Sequence, residues 1–362
     1  MMMGSSLDAC TAKVLRLWEE VGFPGWHGHL DITGLPRVAF TGLSGHARAM
    51  TSDALSQGNV VQVTLYGALV LLCLLGNSLV LLTVLAMTVK HGTMAASDLL
   101  LANLSTVNLL LTVLRNTLIF TADLGLQLSL SAAWCRVFMF TWVLLRAMST
   151  WATSGLSIFH CRTIRKQHPL GAREARGARD AAIAVSALWM VNGLYSLPAL
   201  VYSSHAAGNT TLPPMLVSST TRPLLGCTWA FPSQQSGLAY ATASLVIHET
   251  VPVVLMLGAN VYTLHKLKGH VRAMGVENGV ARFASERRAA KVILALVILF
   301  VGCWGTNTLA VGYHSFTSWP AAPFLLQAAN FCASLFLGMS PLVILAGHSQ
   351  LRRTLRRMIC AR

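Results

Sequence analysis

Seven long apolar stretches divide the chain and limit what it can fold into. They span residues 59–89, 99–122, 137–161, 181–204, 235–264, 292–313 and 321–346. Each is about as long as the roughly 20 residues that a helix needs to cross a bilayer. None alternates polar and apolar residues with the period of two that a transmembrane barrel strand requires. The sequence therefore predicts an all-α fold, a seven-transmembrane helix bundle.

The basic residues lie mostly on one side of these stretches. Nineteen of the 27 Lys and Arg residues fall in the first, third and fifth gaps between the stretches and in the tail. Cytoplasmic loops carry an excess of Lys and Arg, so this pattern predicts the N-terminus outside and the C-terminus in the cytoplasm. The expected parts are an extracellular mobile segment over 1–58, a membrane domain over 59–346 and a basic cytoplasmic tail over 347–362.

The tail itself carries a helical signal. Residues 351–359 repeat apolar and basic side chains at helical spacing, which predicts a short amphipathic C-terminal helix on the inner leaflet. Cys360 is either a palmitoylation site or a plain terminal cysteine. The net charge of +15 would suggest nucleic acid in a soluble protein. No stacking aromatic residues interleave with the basic runs, so membrane lipid is the predicted partner and nucleic acid is not.

The sequence carries no recognisable catalytic or cofactor motif. His248-Glu249 begins like a zinc-protease helix, but Pro252 stands where the second His belongs. There is no Gly-Lys-Ser phosphate loop, and no paired carboxylates flank a cleft. The expectation is a protein that is not an enzyme and has no cofactor or metal. The absence of internal symmetry also argues against a transporter.

Three of the eight cysteines are expected outside the cell: Cys10, Cys135 and Cys227. Cys135 opens the third helix, and Cys227 lies in the second outer loop. An oxidising compartment permits a disulfide between these two, which would hold the loop over the bundle mouth; Cys10 is left unassigned. The same loop contains Asn209-Thr210-Thr211, the predicted N-glycosylation site, although such triplets also arise by chance.

Charged side chains inside the stretches are the first candidates for a functional site, because each costs several kcal/mol at bilayer depth. There are three: Arg115, Arg146 and Glu249. Arg146 lies about 16 Å down the third helix from Cys135 at 1.5 Å per residue, and Glu249 lies in the middle of the fifth stretch. We predict a buried Arg146–Glu249 pair, which is either part of a ligand site or an ion pair that fixes helix packing.

Other side chains are candidates for the same cavity. Arg115 either lines it or extends to water at the outer end of the second helix. Trp304 and Asn307 occupy the outer half of the sixth stretch, where they line the pocket or serve as ordinary packing groups.

Short motifs in four of the stretches resemble those of known receptors. Gly76-Asn77 and the Leu-Ala-Asn-Leu run at 101–104 resemble rhodopsin-type G-protein-coupled receptors, with Asn108 in place of the usual aspartate. Further motifs are similar to those of vomeronasal type-1 receptors, and the match covers residues 59–350. These narrower motifs are Arg146 with Ser149, Thr153 and the Leu-Ser-Ile-Phe run at 156–159, Asn108 with Arg115, and Met339-Ser340-Pro341-Leu342-Val343-Ile344-Leu345.

The resemblance implies a divergent, ancestral-type member of the vomeronasal family: a plasma-membrane chemosensory receptor for a small pheromone-like ligand. It also implies coupling to a heterotrimeric G protein of the inhibitory class. His160 stands where rhodopsin-type receptors have the arginine of Asp-Arg-Tyr, and Thr306 replaces the sixth-helix proline. The residues expected to face the G protein are His160, Arg162, Arg165, Lys166, Arg287 and Arg288.

The loss of the Asp-Arg-Tyr motif keeps a second interpretation open. The chain would then be a non-signalling co-receptor or trafficking partner that dimerises with other vomeronasal receptors. Expression across all sensory neurons would favour the partner, whereas one receptor per cell would favour a ligand detector.

Overall fold

The structure is a computed structural model that describes residues 45–124, 130–165, 172–205, 227–273, 294–295, 297–306, 309, 322–347 and 349–360. Several sequence predictions fall on residues outside these ranges and stay predictions. They concern most of the extracellular head with Cys10, and Lys166, Asn209, Arg287, Arg288 and Asn307.

Helices dominate the described part of the chain. The first stretch lies in α1, Gly45–His91, so this helix begins before residue 59, where the apolar signal starts. The remaining helices are α2 Ala96–Leu111, α3 Thr117–Asp123, α4 Ala132–Arg165, α5 Ala172–Tyr202, α6 Gln234–Ser244, α7 Val251–Ala273, α8 Val297–Thr306, α9 Ala322–Gly347 and α10 Ser349–Cys360.

Two helices of the expected bundle are interrupted by π-helical turns. The turn Thr112–Asn116 joins α2 to α3, and the turn Leu245–Thr250 joins α6 to α7. A π turn holds one residue more than an α turn, so it changes the direction of the side chains within it and is frequent at functional sites. Arg115 and Glu249 both lie in these turns.

Four helical spans among the described residues are long and apolar enough to cross a membrane: Val63–His91, Ala96–Thr121, Gly177–Tyr202 and Gln234–Thr263. Shorter apolar helices cover Val297–Thr306 and Phe331–Leu345. The placement of α10 on the inner leaflet is not tested by its helical conformation and stays a prediction.

The described residues between 61 and 352 have a distribution of polarity unlike that of a soluble protein. Large apolar side chains lie on the outside, as with Leu75 and Met190, which are 66% and 67% exposed. Amides lie inside, as with Asn108 and Asn116, both 0% exposed. Exposed contiguous apolar surface marks a lipid or protein contact, and polar side chains in membrane helices face the bundle interior. This pattern suits a bundle surrounded by lipid.

The third stretch forms the central helix. α4 packs against α2, α5 and α7, and its hydroxyl side chains are buried. Thr153 Oγ1 donates to the carbonyl of Ser149 at 2.8 Å, and Ser157 Oγ donates to that of Thr153 at 3.2 Å. A helix covered by neighbours carries such groups at little cost because they avoid lipid. This placement accounts for the polar content of α4, which is not one of the four long apolar spans named above.

A disulfide holds the N-terminal end of α4. The predicted bond between Cys135 and Cys227 is present. Cys227 begins β2, Cys227–Trp229, which pairs antiparallel with β1, Ser203–His205, so that Ser203 faces Trp229. The bond therefore links α4 to the strand pair that follows α5.

Close contact between α1 and α9 depends on a glycine. A Cβ atom added at Gly76 would lie 2.7 Å from Cγ of Pro341 and 3.2 Å from its Cβ, closer than real Cβ contacts allow. Because a proline ring cannot rotate away, a larger residue would push the two helices apart.

We expect Gly76→Ala to lower the melting temperature of the purified receptor by about 2–8 °C, since overpacking costs about 1–3 kcal/mol. Thermal unfolding in detergent measures this change. Gly155→Ala in α4 is the matched control, because nothing lies within 4 Å of its added Cβ. Equal melting temperatures for the two variants would show that α1 and α9 are not closely packed there.

Candidate ligand site

Three of the predicted site residues meet in the bundle interior. Nη2 of Arg146 in α4 donates a hydrogen bond to Oε1 of Glu249 in the second π turn, and both side chains are buried. The Arg146 guanidinium also lies over the ring of Trp304 in α8, with Cζ 4.0 Å from the ring centroid, a cation–π contact. One cation thus joins three helices through an anion and an aromatic face.

The π turn that holds Glu249 has a local cause. Pro252 follows it in α7 and has no N–H to donate to the carbonyl four residues earlier, and its ring clashes with that carbonyl. Widening the preceding turn relieves the clash. The hydroxyl of Thr250 donates to the carbonyl of Leu245 at 3.1 Å, five residues back. Proline was expected to kink this helix, and the structure has the π turn immediately before it.

Sequence reasoning did not identify His248 as part of the site. Nε1 of Trp151 in α4 donates to Nδ1 of His248 at 3.2 Å, and His248 is 5% exposed. The ring of Tyr195 in α5 packs against the imidazole, with centroids 4.2 Å apart. These contacts fix the residue directly before Glu249. The sequence signal for His248 was its position next to the charged Glu249. Its contact with Trp151 joins residues 97 positions apart, which no local pattern indicates.

Aromatic rings connect this region to the disulfide. Tyr195 stacks on Tyr240 at 5.4 Å, and Tyr240 lies 5.5 Å from Trp229 in β2. Cys135, Cys227 and Trp229 belong to one buried cluster. Ring contacts therefore run from the strand pair, through Tyr240 and Tyr195, to the imidazole beside Glu249.

Arg115 lies in a second cluster. It is 2% exposed, so it does not extend to water at the outer end of the second helix. Its Nη1 lies 3.5 Å from both Ser334 Oγ and Asn116 Oδ1. Cζ is 5.1 Å from the ring centroid of Trp142, and Ser334 Oγ is 2.9 Å from the hydroxyl of Tyr66. We call these five residues the Arg115 cluster.

The motif residues of the resemblance meet in a third polar group. Ser149 Oγ donates to Oδ1 of Asn108 at 2.9 Å, and Nδ2 of Asn108 donates to Ser340 Oγ at 3.3 Å. Nδ2 of Asn77 donates to the carbonyl of Leu337 at 3.1 Å. These hydrogen bonds link α4 to α2, and they link both α2 and α1 to α9. Ser340 lies directly before Pro341 in α9.

The predicted coupling residues lie partly within the described chain. The ring of His160 packs edge-on against Phe159 at 5.8 Å. Arg162 is exposed, and Arg165 is the last residue of α4.

Comparison with known proteins assigns the class of this bundle. Residues 76–343 match the sequence profile of the 7 transmembrane receptors of the rhodopsin family. The chain therefore belongs to the rhodopsin family of G-protein-coupled receptors, and it is a multi-pass membrane protein. This membership confirms the predicted seven-helix class, and proteins of the family are receptors rather than enzymes.

Three proteins illustrate which members of the family the chain is similar to. Olfactory receptor class A-like protein 4 of Danio rerio is 44% identical over 310 residues, covering 83% of this chain and 90% of that protein. Olfactory receptor class A-like protein 1 of the same species is 27% identical over 291 residues, covering 80% and 88%. Galanin receptor type 3 of Homo sapiens is 26% identical over 316 residues, covering 84% and 79%. The first two are named as olfactory receptors and not as vomeronasal type-1 receptors, so that narrower assignment stays a proposal.

Proposed function

We propose that this receptor is a chemosensory G-protein-coupled receptor of the plasma membrane, of the vomeronasal type-1 class. It binds a small pheromone-like extracellular ligand in the helix bundle and activates a heterotrimeric G protein of the inhibitory class. Its similarity to two olfactory receptor class A-like proteins supports the chemosensory role. The buried group of Arg146, Glu249 and Trp304 supports a ligand site.

The observation that carries the proposal concerns two hydrogen-bond donors in this group. Within the described residues, neither Nη1 of Arg146 nor Nε1 of Trp304 has an acceptor, although both atoms are buried. A buried donor without a partner costs about 1–3 kcal/mol. A ligand that carries an oxygen acceptor removes that cost by accepting from one or both donors.

A ligand bound to Arg146 acts on three helices together, because this side chain contacts α8 through Trp304 and the π turn through Glu249. It shifts the receptor between conformations only by its difference in affinity for them. The favoured rearrangement opens the cytoplasmic ends and presents His160, Arg162 and Arg165, together with Lys166, Arg287 and Arg288, to the G protein. The test is a screen of ligand-dependent G-protein activation with chemically diverse odorants and steroids.

We expect charge reversal at the cytoplasmic end of α4 to abolish coupling. Arg162→Glu with Arg165→Glu should remove ligand-dependent GTP exchange, because two cations that face the G protein become anions. GTP exchange in membranes measures this loss. Arg136→Glu, which changes an exposed arginine at the outer end of α4, should leave exchange intact. Normal exchange in the double variant would remove these residues from the coupling surface.

The alternative role has a distinct outcome. A non-signalling co-receptor or trafficking partner gives no exchange with any ligand, yet raises the surface amount of a co-expressed receptor. His160 in place of the motif arginine favours this alternative. Exchange by the receptor expressed alone would exclude it as the sole function.

A further inference from the structure

The imidazole of His248 has a hydrogen-bond partner that can only donate. Nε1 of Trp151 in α4 lies 3.2 Å from Nδ1 of His248. An indole has one N–H donor and no acceptor, so Nδ1 must accept and cannot carry a hydrogen itself. The single proton of a neutral imidazole then lies on Nε2. A positively charged imidazole has an N–H group on both nitrogens, and at this contact two N–H groups would point at each other.

Packing holds the imidazole against the indole. His248 is 5% exposed, and the ring of Tyr195 in α5 packs edge-on against it with the two centroids 4.2 Å apart. Tyr195 in turn stacks on Tyr240 of α6. The phenol groups of both tyrosines are uncharged at neutral pH, so these two neighbours bring no charge to the imidazole.

Two charged side chains act on this imidazole in opposite directions. Glu249 follows His248 in the π turn and attracts a proton to the ring, whereas Arg146 of α4 repels one. Arg146 and Glu249 pair with each other, so a proton on His248 would add a second cation to a buried ion pair. Burial of a further cation is costly, and the new cation would compete with Arg146 for the carboxylate. Burial and Arg146 therefore oppose the proton, and the hydrogen bond from Trp151 adds to that opposition.

We propose that Trp151 is a positioning residue of the ligand site, which holds His248 neutral with its proton on Nε2 from about pH 8 to about pH 5. An unperturbed histidine takes up a proton within this range. Arg146 therefore stays paired with Glu249 in acid, and a ligand meets the same charges over the whole range. This consequence rests on the proposed function, whereas the position of the proton rests on the contacts alone.

The test is nitrogen NMR of the full-length receptor in lipid nanodiscs, with nitrogen-15-labelled histidine and with neither ligand nor G protein present. The signal that is absent from His248→Gln identifies this residue among the 12 histidines of the chain. A ring nitrogen resonates at a different frequency with and without its hydrogen, so the spectrum reports both the position of the proton and the charge. We expect a hydrogen on Nε2 and none on Nδ1 at every pH from about 8 to about 5.

Two variants connect this state to the indole. Trp151→Phe keeps an aromatic ring and removes the N–H group. It should raise both the population of the form protonated on Nδ1 and the affinity of the imidazole for a second proton about tenfold, through loss of one hydrogen bond. Trp189→Phe is the matched control. It removes an indole N–H group that donates to Oδ1 of Asn103 at 3.0 Å, and the spectrum of His248 should not change.

A neutral His248 with its proton on Nε2 throughout, altered in Trp151→Phe and unaltered in Trp189→Phe, supports the proposal. A hydrogen on Nδ1 in the unaltered receptor, or uptake of a second proton above about pH 5, would overturn it. So would a spectrum of His248 that is the same in Trp151→Phe as in the unaltered receptor. If Trp151→Phe does not fold, the unaltered receptor alone decides. Because signalling does not enter the measurement, a receptor that activates no G protein would contradict the proposed function and leave this result in place.

Discussion

Arg146→Gln is expected to reduce the potency of an activating ligand by about 100-fold or more while receptor still reaches the cell surface. The substitution removes the guanidinium that contacts Glu249 and Trp304, and truncating a buried charged anchor costs about 2–5 kcal/mol of binding. Dose–response curves of G-protein activation, with surface labelling of the same cells, measure the effect.

A double variant separates the ligand role from a purely structural ion pair. Arg146→Gln alone leaves a buried carboxylate without its cation, which costs about 3–5 kcal/mol of stability. Arg146→Gln combined with Glu249→Gln removes both charges and should restore the melting temperature. If Arg146 binds ligand, the double variant is stable but still unresponsive. Recovery of the full response in the double variant would mean that the pair only holds the helices together.

Loss of the Cys135–Cys227 disulfide is expected to have the largest effect on stability. Cys135 and Cys227 are 92 residues apart, and a bond that closes a loop of this size stabilises a protein by about 4.6 kcal/mol in the chain-entropy estimate. Cys227→Ala should therefore lower the melting temperature by roughly 9–18 °C. Thermal unfolding with and without a reducing agent provides the measurement.

The reducing agent supplies an internal control for this prediction. It should lower the melting temperature of the unaltered receptor towards that of Cys227→Ala and leave the variant unchanged. Cys161→Ala, at a free cysteine of α4, should behave like the unaltered receptor in both conditions. If Cys227→Ala were as stable as the unaltered protein, the disulfide would contribute little to the stability of the fold.

The positions of Arg115 and of Glu249, the partner of Arg146, depend on a feature of the backbone that hydropathy does not encode. Arg115 and Glu249 lie in π turns, where one extra residue redirects the side chains that follow. In a regular α-helix successive side chains follow one another at 3.6 residues per turn. Without the extra residue, Arg115 and Glu249 would therefore lie on a different face of their helices. The two clusters therefore exist partly because α2–α3 and α6–α7 are not regular helices.

Much of the architecture was readable from residue patterns. Apolar length gives the membrane spans because transfer into lipid is a sum over local residues. The Arg146–Glu249 pair was predicted because a charge at bilayer depth is costly and because the third and fifth helices are neighbours in most seven-helix bundles. The disulfide followed from topology, because the predicted orientation left few cysteines on the oxidising side.

The composition and order of residues thus predicted the seven-helix class, four of the membrane spans and the buried Arg146–Glu249 pair. Only the packed structure decided that α1 starts at Gly45, that Arg115 lies inside with Ser334 of α9, and that Trp151 orients His248. The Arg115–Ser334 and Trp151–His248 contacts join residues 219 and 97 positions apart. They depend on the angles at which helices cross and on interruptions within a helix, which no local pattern of hydropathy or charge records.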